Sequence, residues 1–359
     1  MELTKPDTLP TILLTGASGV VGQALLERLG GDRVVALVHR KRLHGAPCRQ
    51  VQGDITQPRL GLNRRGFDDL AGEIDVVIHC AALTDFLERP ADVTRVNIEA
   101  VDHVLDFVAA ADAALAHVSS AFVARRDGSA SPLEPESGAR TAGAQGYVAS
   151  KIAGEEAVRR SGIPHAIFRP SLVLGDSATG RTVDFQGFQA LPAFLLSGQL
   201  PIVPLEADAR CDFVAQDIVA DAIAAHVDAG ALSGEHWLTA GPDALAAPRL
   251  ADICVDVGRE RGIDVRPPRM IGTDVMHRLF LPVFAGQLPR RLRRRLENLV
   301  ELASLFERQT DFPTSLPDIG ARFRLGPLPD PERVFRNSCE YLAERFGLGL
   351  AAGDVEVAL

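Results

Sequence analysis

Cysteine is scarce and scattered. The five residues Cys48, Cys80, Cys211, Cys254 and Cys339 include no C-x-x-C pair. That spacing argues against a disulfide framework or a zinc finger and makes a reducing cytosol the expected setting. None of the nine histidines has a second histidine four residues on, so no helical metal pair reads from the sequence and no metal is expected. Long apolar runs are missing as well. Leu279–Ala285 falls far short of the ~18–20 residues that cross a bilayer, and the first residues, MELTKPDTLP, lack the apolar core of a signal peptide. Nor is there an excess of positive charge. With 38 Lys and Arg against 47 Asp and Glu, the net charge of −9 argues against a general nucleic-acid binder.

What is present is a chain of 359 residues, 46% hydrophobic and 24% charged, long enough for one large domain and a smaller lobe. Its first half alternates short β-branched runs with helical patterns. Residues 11–15, 33–38, 75–79, 114–118 and 165–168 read as buried strands; 22–29, 93–110 and 147–160 read as helices. Alternation of this kind predicts an α/β fold, a doubly wound parallel (Rossmann) sheet with ligands at the carboxyl edge of its strands. Residues 215–227 and 236–239 read as a further helix and strand returning to that sheet. The expected division is a nucleotide-binding domain of residues 1–175 plus 211–244, and a mostly helical substrate lobe of 176–210 plus 245–359.

Directly after the first strand runs Thr15-Gly16-Ala17-Ser18-Gly19-Val20-Val21-Gly22. A G-x-x-G-x-x-G spacing between strand and helix has a physical purpose. Gly16 permits the tight turn, Gly19 lets backbone approach a pyrophosphate, and Gly22 lets helix and strand pack closely. Gly16, Ser18, Gly19, Val20 and Gly22 are therefore expected around a dinucleotide. The second strand ends in Val38-His39-Arg40-Lys41-Arg42, with no acid to accept the ribose 2′-hydroxyl. That favours NADP(H), with Arg40 as the 2′-phosphate partner and His39 beside it. At the end of the third strand, Asp54 is placed to accept from the adenine amino group, with Ile55 against the ring.

Tyr147-Val148-Ala149-Ser150-Lys151 puts a phenol and an ammonium on one helical face. A neighbouring cation is expected to lower the phenol pKa from its reference near 10, making Tyr147 a general acid for a carbonyl that receives hydride. His117-Val118-Ser119-Ser120 ends the preceding strand, where a hydroxyl can hold the same oxygen. Both serines qualify on position alone.

TGASGVVG, HCAA at 79–82, VSS at 118–120, YVASK at 147–151 and FRPS at 168–171 together resemble the extended short-chain dehydrogenase/reductases. GDITQPRLGLN (53–63), IDVVIHCAALTDF (74–86), HVSSAFV (117–123) and FRPSLVLGDSATG (168–180) are similar to the branch that reduces acyl thioesters, the fatty acyl-CoA (male sterility) reductases and thioester-reductase domains. The resemblance covers about residues 10–240. It implies that Tyr147 donates the proton, that Lys151 holds the nicotinamide ribose, and that Ser120 rather than Ser119 is the hydroxyl residue. Ala81 and Ala82 would line the cofactor, and Pro170 and Leu172 would lie against the nicotinamide. Asn97 falls at the family's active-site-helix asparagine, although Glu99-Ala100 replaces the usual Gly-Thr. Cys80, inside HCAA, reads as a packing residue and not a nucleophile.

Beyond residue 245 the resemblance is weak. There Arg290, Arg291, Arg293, Arg294 and Arg295 follow an apolar stretch. They read either as a solvated helix face or as a docking site for an anionic carrier, coenzyme A or an acidic acyl-carrier protein. The adjoining apolar residues would line an acyl channel or rest on a membrane surface. The leading expectation is NADPH-dependent reduction of an acyl thioester to the aldehyde, with a further step to the alcohol left open. The alternatives are an alcohol or ketone dehydrogenase or a nucleotide-sugar epimerase or dehydratase of the same fold, which would prefer an acidic second-strand end. A non-catalytic regulator would be expected to lack Tyr147 or Lys151.

Overall fold

The computed structural model describes residues 9–40, 42–124, 143–185, 187–197, 202–306 and 311–348. Lys41, one of the basic residues at the second-strand end, lies outside them. The apolar runs form the strands β1 (Ile12–Thr15), β2 (Val34–Val38), β3 (Arg49–Gln52), β4 (Val76–His79), β5 (Ala114–Val118) and β6 (His165–Pro170). Three short pairs follow: β7 (Leu172–Leu174) with β10 (Phe213–Ala215), β8 (Ile202–Val203) with β13 (Arg269–Met270), and β9 (Arg210–Cys211) with β12 (Leu245–Ala246). With β11 (Gly234–Leu238), the main sheet has the order β11-β6-β5-β4-β1-β2-β3, and every neighbouring pair is parallel. Strands covered on both faces must be apolar throughout, and all residues of β1, β2 and β4 are buried.

Alternate residues of β1 supply two different cores. Ile12 and Leu14 pack with Leu25 of α1 (Val20–Leu29) and Ile223 of α7 (Gln216–Asp228). Leu13 packs instead with Phe67 of α2 (Arg64–Ala71), Phe107 of α4 (Ala100–Ala110) and Ile167 of β6. A third core joins α5 (Gly143–Arg160) and α6 (Ala190–Leu196) to α8 (Ala247–Glu260), α11 (Arg290–Phe306) and α13 (Pro331–Arg345). Short helices α9 (Thr273–Val275) and α10 (Leu281–Phe284) precede α11, and α12 (Leu316–Phe323) packs on α7. Among the described residues no helix is long and apolar enough to cross a membrane.

Two elements depart from expectation. The helix carrying Tyr147 already includes Gly143, so the tyrosine lies in its second turn. The helix expected over 93–110 is broken by a π-turn at Arg95–Glu99, between α3 (Pro90–Thr94) and α4. Asn97 sits buried in that turn. Its Oδ1 accepts from Leu83 N at 2.8 Å, while Nδ2 donates to Leu83 O at 3.0 Å and to Ser150 Oγ at 3.1 Å. One side chain thereby ties the chain leaving β4 to α5. Asn97→Ala leaves Leu83 N and O without their side-chain partner, and a loss of about 1–3 kcal/mol is expected, read as a lower denaturant midpoint at unchanged slope.

Candidate active site

The glycine-rich turn follows β1 with Gly16 at φ +72°. A Cβ there would lie 2.6 Å from Ala81 N and 2.7 Å from the Cys80 carbonyl carbon. At Gly22 it would lie 2.2 Å from Gly16 O, so Gly22 makes room for the turn itself, where the sequence predicts helix–strand packing. Gly19 caps α1, and a Cβ there would meet only Gly16 O, at 3.4 Å. Ser18 and Gly19 are exposed and Val20 is half-buried. Bare backbone over a helix N-terminus fits a pyrophosphate.

At the far end of this edge, His39 and Arg40 are exposed beyond β2. His39 Nε2 is 3.5 Å from Asp54 Oδ2, and Asp54 Oδ1 accepts from Thr56 N at 2.9 Å and from Thr56 Oγ1 at 2.8 Å. Burial pushes the Asp54 carboxyl up, but the Thr56 bonds and the charges of His39 and Arg95 outweigh it and hold the group below its usual range. Asp54 N donates to Leu60 O at 2.7 Å. Leu60 is fully buried in a left-handed conformation (φ +54°), a feature that no apolar pattern announces. Ile55 packs on the core beneath β3.

Between these ends stand the catalytic candidates. Ser120 follows β5; its Oγ accepts from Phe122 N at 3.4 Å and is hydrogen-bonded to Tyr147. The Oγ of Ser119 is buried with no partner among the described residues. The fold therefore brings Ser120, and not Ser119, to the phenol. Tyr147 is half-buried, with the Phe86 ring edge-on at 5.5 Å. Lys151 is buried, its Nζ donating to Val118 O at 3.2 Å and lying 6.0 Å from the centre of the Tyr147 ring.

The electrostatics correct one expectation. Burial raises the Tyr147 phenol above its ordinary value, and the Ser120 bond offsets this only in part. The ammonium of Lys151 points its bond at Val118 and not at the phenol, so the expected lowering is absent. Burial also takes Lys151 down to about 8, against the pull of Cys80 and Glu155. It pushes the Cys80 thiol up to about 12 despite the nearby ammonium, which leaves no thiolate near neutral pH. Ala81 and Ala82 are half-buried in the chain leaving β4, Pro170 ends β6 in a buried position, and Leu172 opens β7 half-buried. All stand on the carboxyl edge.

Several residues that sequence reasoning missed complete the cleft. Thr15 Oγ1 lies 2.7 Å from His79 Nδ1 and accepts from Ala81 N at 3.3 Å, with His79 driven down to about 3 by burial and then by Lys151. From α11, Asn298 Oδ1 accepts from Phe86 N at 3.0 Å and Glu301 Oε2 accepts from Ala144 N at 3.0 Å. In the arginine cluster, part of the charge is already paired. Arg294 Nη2 binds Asp85 at 2.7 Å and Glu88 at 3.0 Å, Arg293 is 3.5 Å from Glu297, and Arg295 is half-buried beside Asp184. Only Arg290 and Arg291 of the five remain exposed without an ion pair among the described residues.

Two outcomes follow from this geometry. Gly16→Ala forces a Cβ into backbone in a left-handed turn, and dinucleotide binding measured by fluorescence titration is expected to disappear with a lower Tm. Cys80, held as the thiol, is expected to resist iodoacetamide at pH 7; rapid alkylation by mass spectrometry would contradict the burial argument.

The male sterility protein family matches residues 46–223. A hybrid PKS-NRPS synthetase of Pyrenochaetopsis sp is 33% identical over 161 residues, 42% of this chain and 4% of the synthetase. The equisetin synthetase of Fusarium heterosporum is 34% identical over 164 residues, again 42% of this chain and 4% of the synthetase. The chain thus corresponds to a small part of those relatives. Among solved structures, the terminal R domain from the myxalamid PKS-NRPS pathway is 24% identical with a TM-score of 0.71, covering 97% of this chain and 95% of that one. The reductase (R) domain of a nonribosomal peptide synthetase from Mycobacterium tuberculosis is 21% identical with a TM-score of 0.68, covering 97% and 94%. At these identities the structural likeness speaks for the fold. Taken with the match over residues 46–223, just under half of the chain, and the motifs on the sheet edge, these findings support an extended short-chain dehydrogenase/reductase of the male sterility type.

Proposed function

We propose that this protein uses NADPH to reduce an acyl thioester, presented on coenzyme A or on a carrier protein, to the aldehyde. The observation that carries the reading is the convergence of Ser120, Tyr147 and Lys151 on the edge that also holds the glycine cradle. Gly16, Ser18, Gly19, Val20 and Gly22 hold the pyrophosphate; Ala81, Ala82, Pro170 and Leu172 enclose the nicotinamide end. Asp54 and Ile55 receive the adenine. His39 and Arg40 favour the 2′-phosphate of NADP(H), since no acid stands at the end of β2.

When bound, the reduced nicotinamide supplies a hydride to the carbonyl carbon. Tyr147, kept as the neutral phenol by burial, gives its proton to the carbonyl oxygen as charge develops there. Ser120 donates a second hydrogen bond to the same oxygen and orients it. Lys151 holds the nicotinamide ribose and stabilises the phenolate left behind. The resulting hemithioacetal loses the thiol to give the aldehyde, and Tyr147 is reprotonated from solvent. No bond to the chain is required, in keeping with the inert Cys80. Phe86 against Tyr147, and Phe122 against Phe306 and Phe312, give the acyl group an apolar surround.

Residues 176–210 and 245–359 act as the substrate lobe in this reading. A carrier's acidic face meets Arg290 and Arg291, with Leu279, Val283 and Phe284 exposed in the segment that precedes them. The test is NADPH oxidation with acyl-CoAs, fatty aldehydes and ketones. Thioester turnover is expected, and Tyr147→Phe is expected to cost about 10²–10⁴-fold in kcat with cofactor affinity kept. Arg40→Glu should raise KM for NADPH and leave that for NADH nearly unchanged. Turnover of ketones alone would remove the thioester reading.

A further inference from the structure

The buried ammonium of Lys151 is faced by titratable groups from three elements. His79 and Cys80 come from β4 and the chain leaving it, His117 from β5, and Tyr147 and Glu155 from its own helix. Burial keeps both histidines and the thiol uncharged near neutral pH, and raises the Tyr147 phenol. Glu155 is the one carboxylate in the set.

Its position is tightly determined. Glu155 stands four residues beyond Lys151, on the same helical face, and is fully buried. Oε1 accepts from Arg169 Nε at 2.8 Å; Oε2 accepts from Arg169 Nη2 at 2.8 Å and from Arg159 Nη2 at 2.7 Å. Arg169, fully buried on β6, also binds Glu235 of β11 and stacks its guanidinium 4.4 Å from the Trp237 ring. Arg159 Nε donates to Glu235 at 2.7 Å. Two carboxylates and two guanidinia thus bridge α5, β6 and β11 with no net charge. Desolvation makes such a cluster a poor device for stability alone, since apolar packing of the same volume serves as well. What packing cannot supply is a fixed negative charge one turn from Lys151.

We infer that Glu155, anchored by Arg169, is a positioning residue of the active site, one that keeps the buried ammonium of Lys151 charged beside Tyr147. The inference rests on the reductase reading for its consequence but not for its measurement. Burial already takes Lys151 down to about 8, and Cys80 lends no charge until its thiol ionises, so loss of the Glu155 charge takes the lysine lower still.

Lysine is rare enough to make the test direct: Lys5, Lys41 and Lys151 are the lysines of the chain. Acetic anhydride labelling across pH, quantified on the Lys151 peptide, reads the neutral amine without any substrate. In the wild-type protein the midpoint is expected near pH 8. In Glu155→Gln it should fall by about one unit, which raises the labelling rate at pH 7 about fivefold. Glu235→Gln, which breaks the same cluster farther from the lysine, should lower Tm and leave the midpoint in place. If Glu155→Gln does not fold, the double variant Glu155→Leu/Arg169→Met removes the buried pair together and should show the same fall. A folded variant without the Glu155 carboxylate but with the wild-type midpoint overturns the inference, as does an equal fall in Glu235→Gln. A fall in midpoint in a protein that turns over no thioester upholds it and sinks the substrate reading alone.

Discussion

The carboxyl edge of the sheet depends on how closely β1 and β4 end together. They are neighbours in register, Thr15 opposite His79, so the chains leaving them must share one space. Gly16 solves this by turning left-handed against the backbone of Cys80 and Ala81, with no side chain to clash. Thr15 Oγ1 bridges the same two segments through His79 and Ala81. From that contact the cleft is built outward. The turn aims α1, whose first residues present bare backbone. The chain from β4 is then caught by Asn97 at Leu83 and passes Phe86 to the face of Tyr147.

The cleft so formed is electrically sparse. His79, His117 and Cys80 surround Lys151, and burial leaves each uncharged near neutral pH. Burial acts on a lysine in the opposite sense to a phenol, lowering one and raising the other. Tyr147 and Lys151 therefore move apart in proton affinity, the phenol keeping its proton more firmly and the ammonium less firmly, without a direct bond between them. A weak acid and a weakly held ammonium in one dry site suit transient proton transfer better than a preformed ion pair would.

What the sequence made legible follows from distance along the chain. Strands buried on both faces must be continuous apolar runs, and β1, β2, β4 and β5 lie within one residue of where those runs place them. The glycine turn and the Tyr147–Lys151 pair are spacings within eight residues or fewer. The hidden features are those whose partners lie far away or whose geometry has no pattern. Arg294 meets Asp85 across 209 positions, and Asn298 meets Phe86 across 212. Nothing in a run of arginines distinguishes a solvated face from one that finds such distant partners. The left-handed Leu60 and the π-turn at Asn97 are settled by tertiary contacts that override local preference.

These distant contacts explain what α11 does. Its ion pairs to Asp85 and Glu88 are partly exposed, and exposed pairs of that kind contribute little to stability, about 0–1 kcal/mol. Leu296, Leu299, Val300 and Leu302 are buried on its other face, and each such side chain contributes about 1.5–3 kcal/mol. Apolar burial thus holds the helix on the molecule, while an apolar face alone tolerates sliding by a residue or a turn. Arg294, Asn298 and Glu301 remove that freedom. They stand at intervals of four and three, one stripe of the helix, and each ends on a group beside the cleft: Asp85, Phe86 N and Ala144 N. The weak polar contacts fix the register of a strongly held helix, and that register sets where Phe86 and the first turn of α5 stand relative to Tyr147.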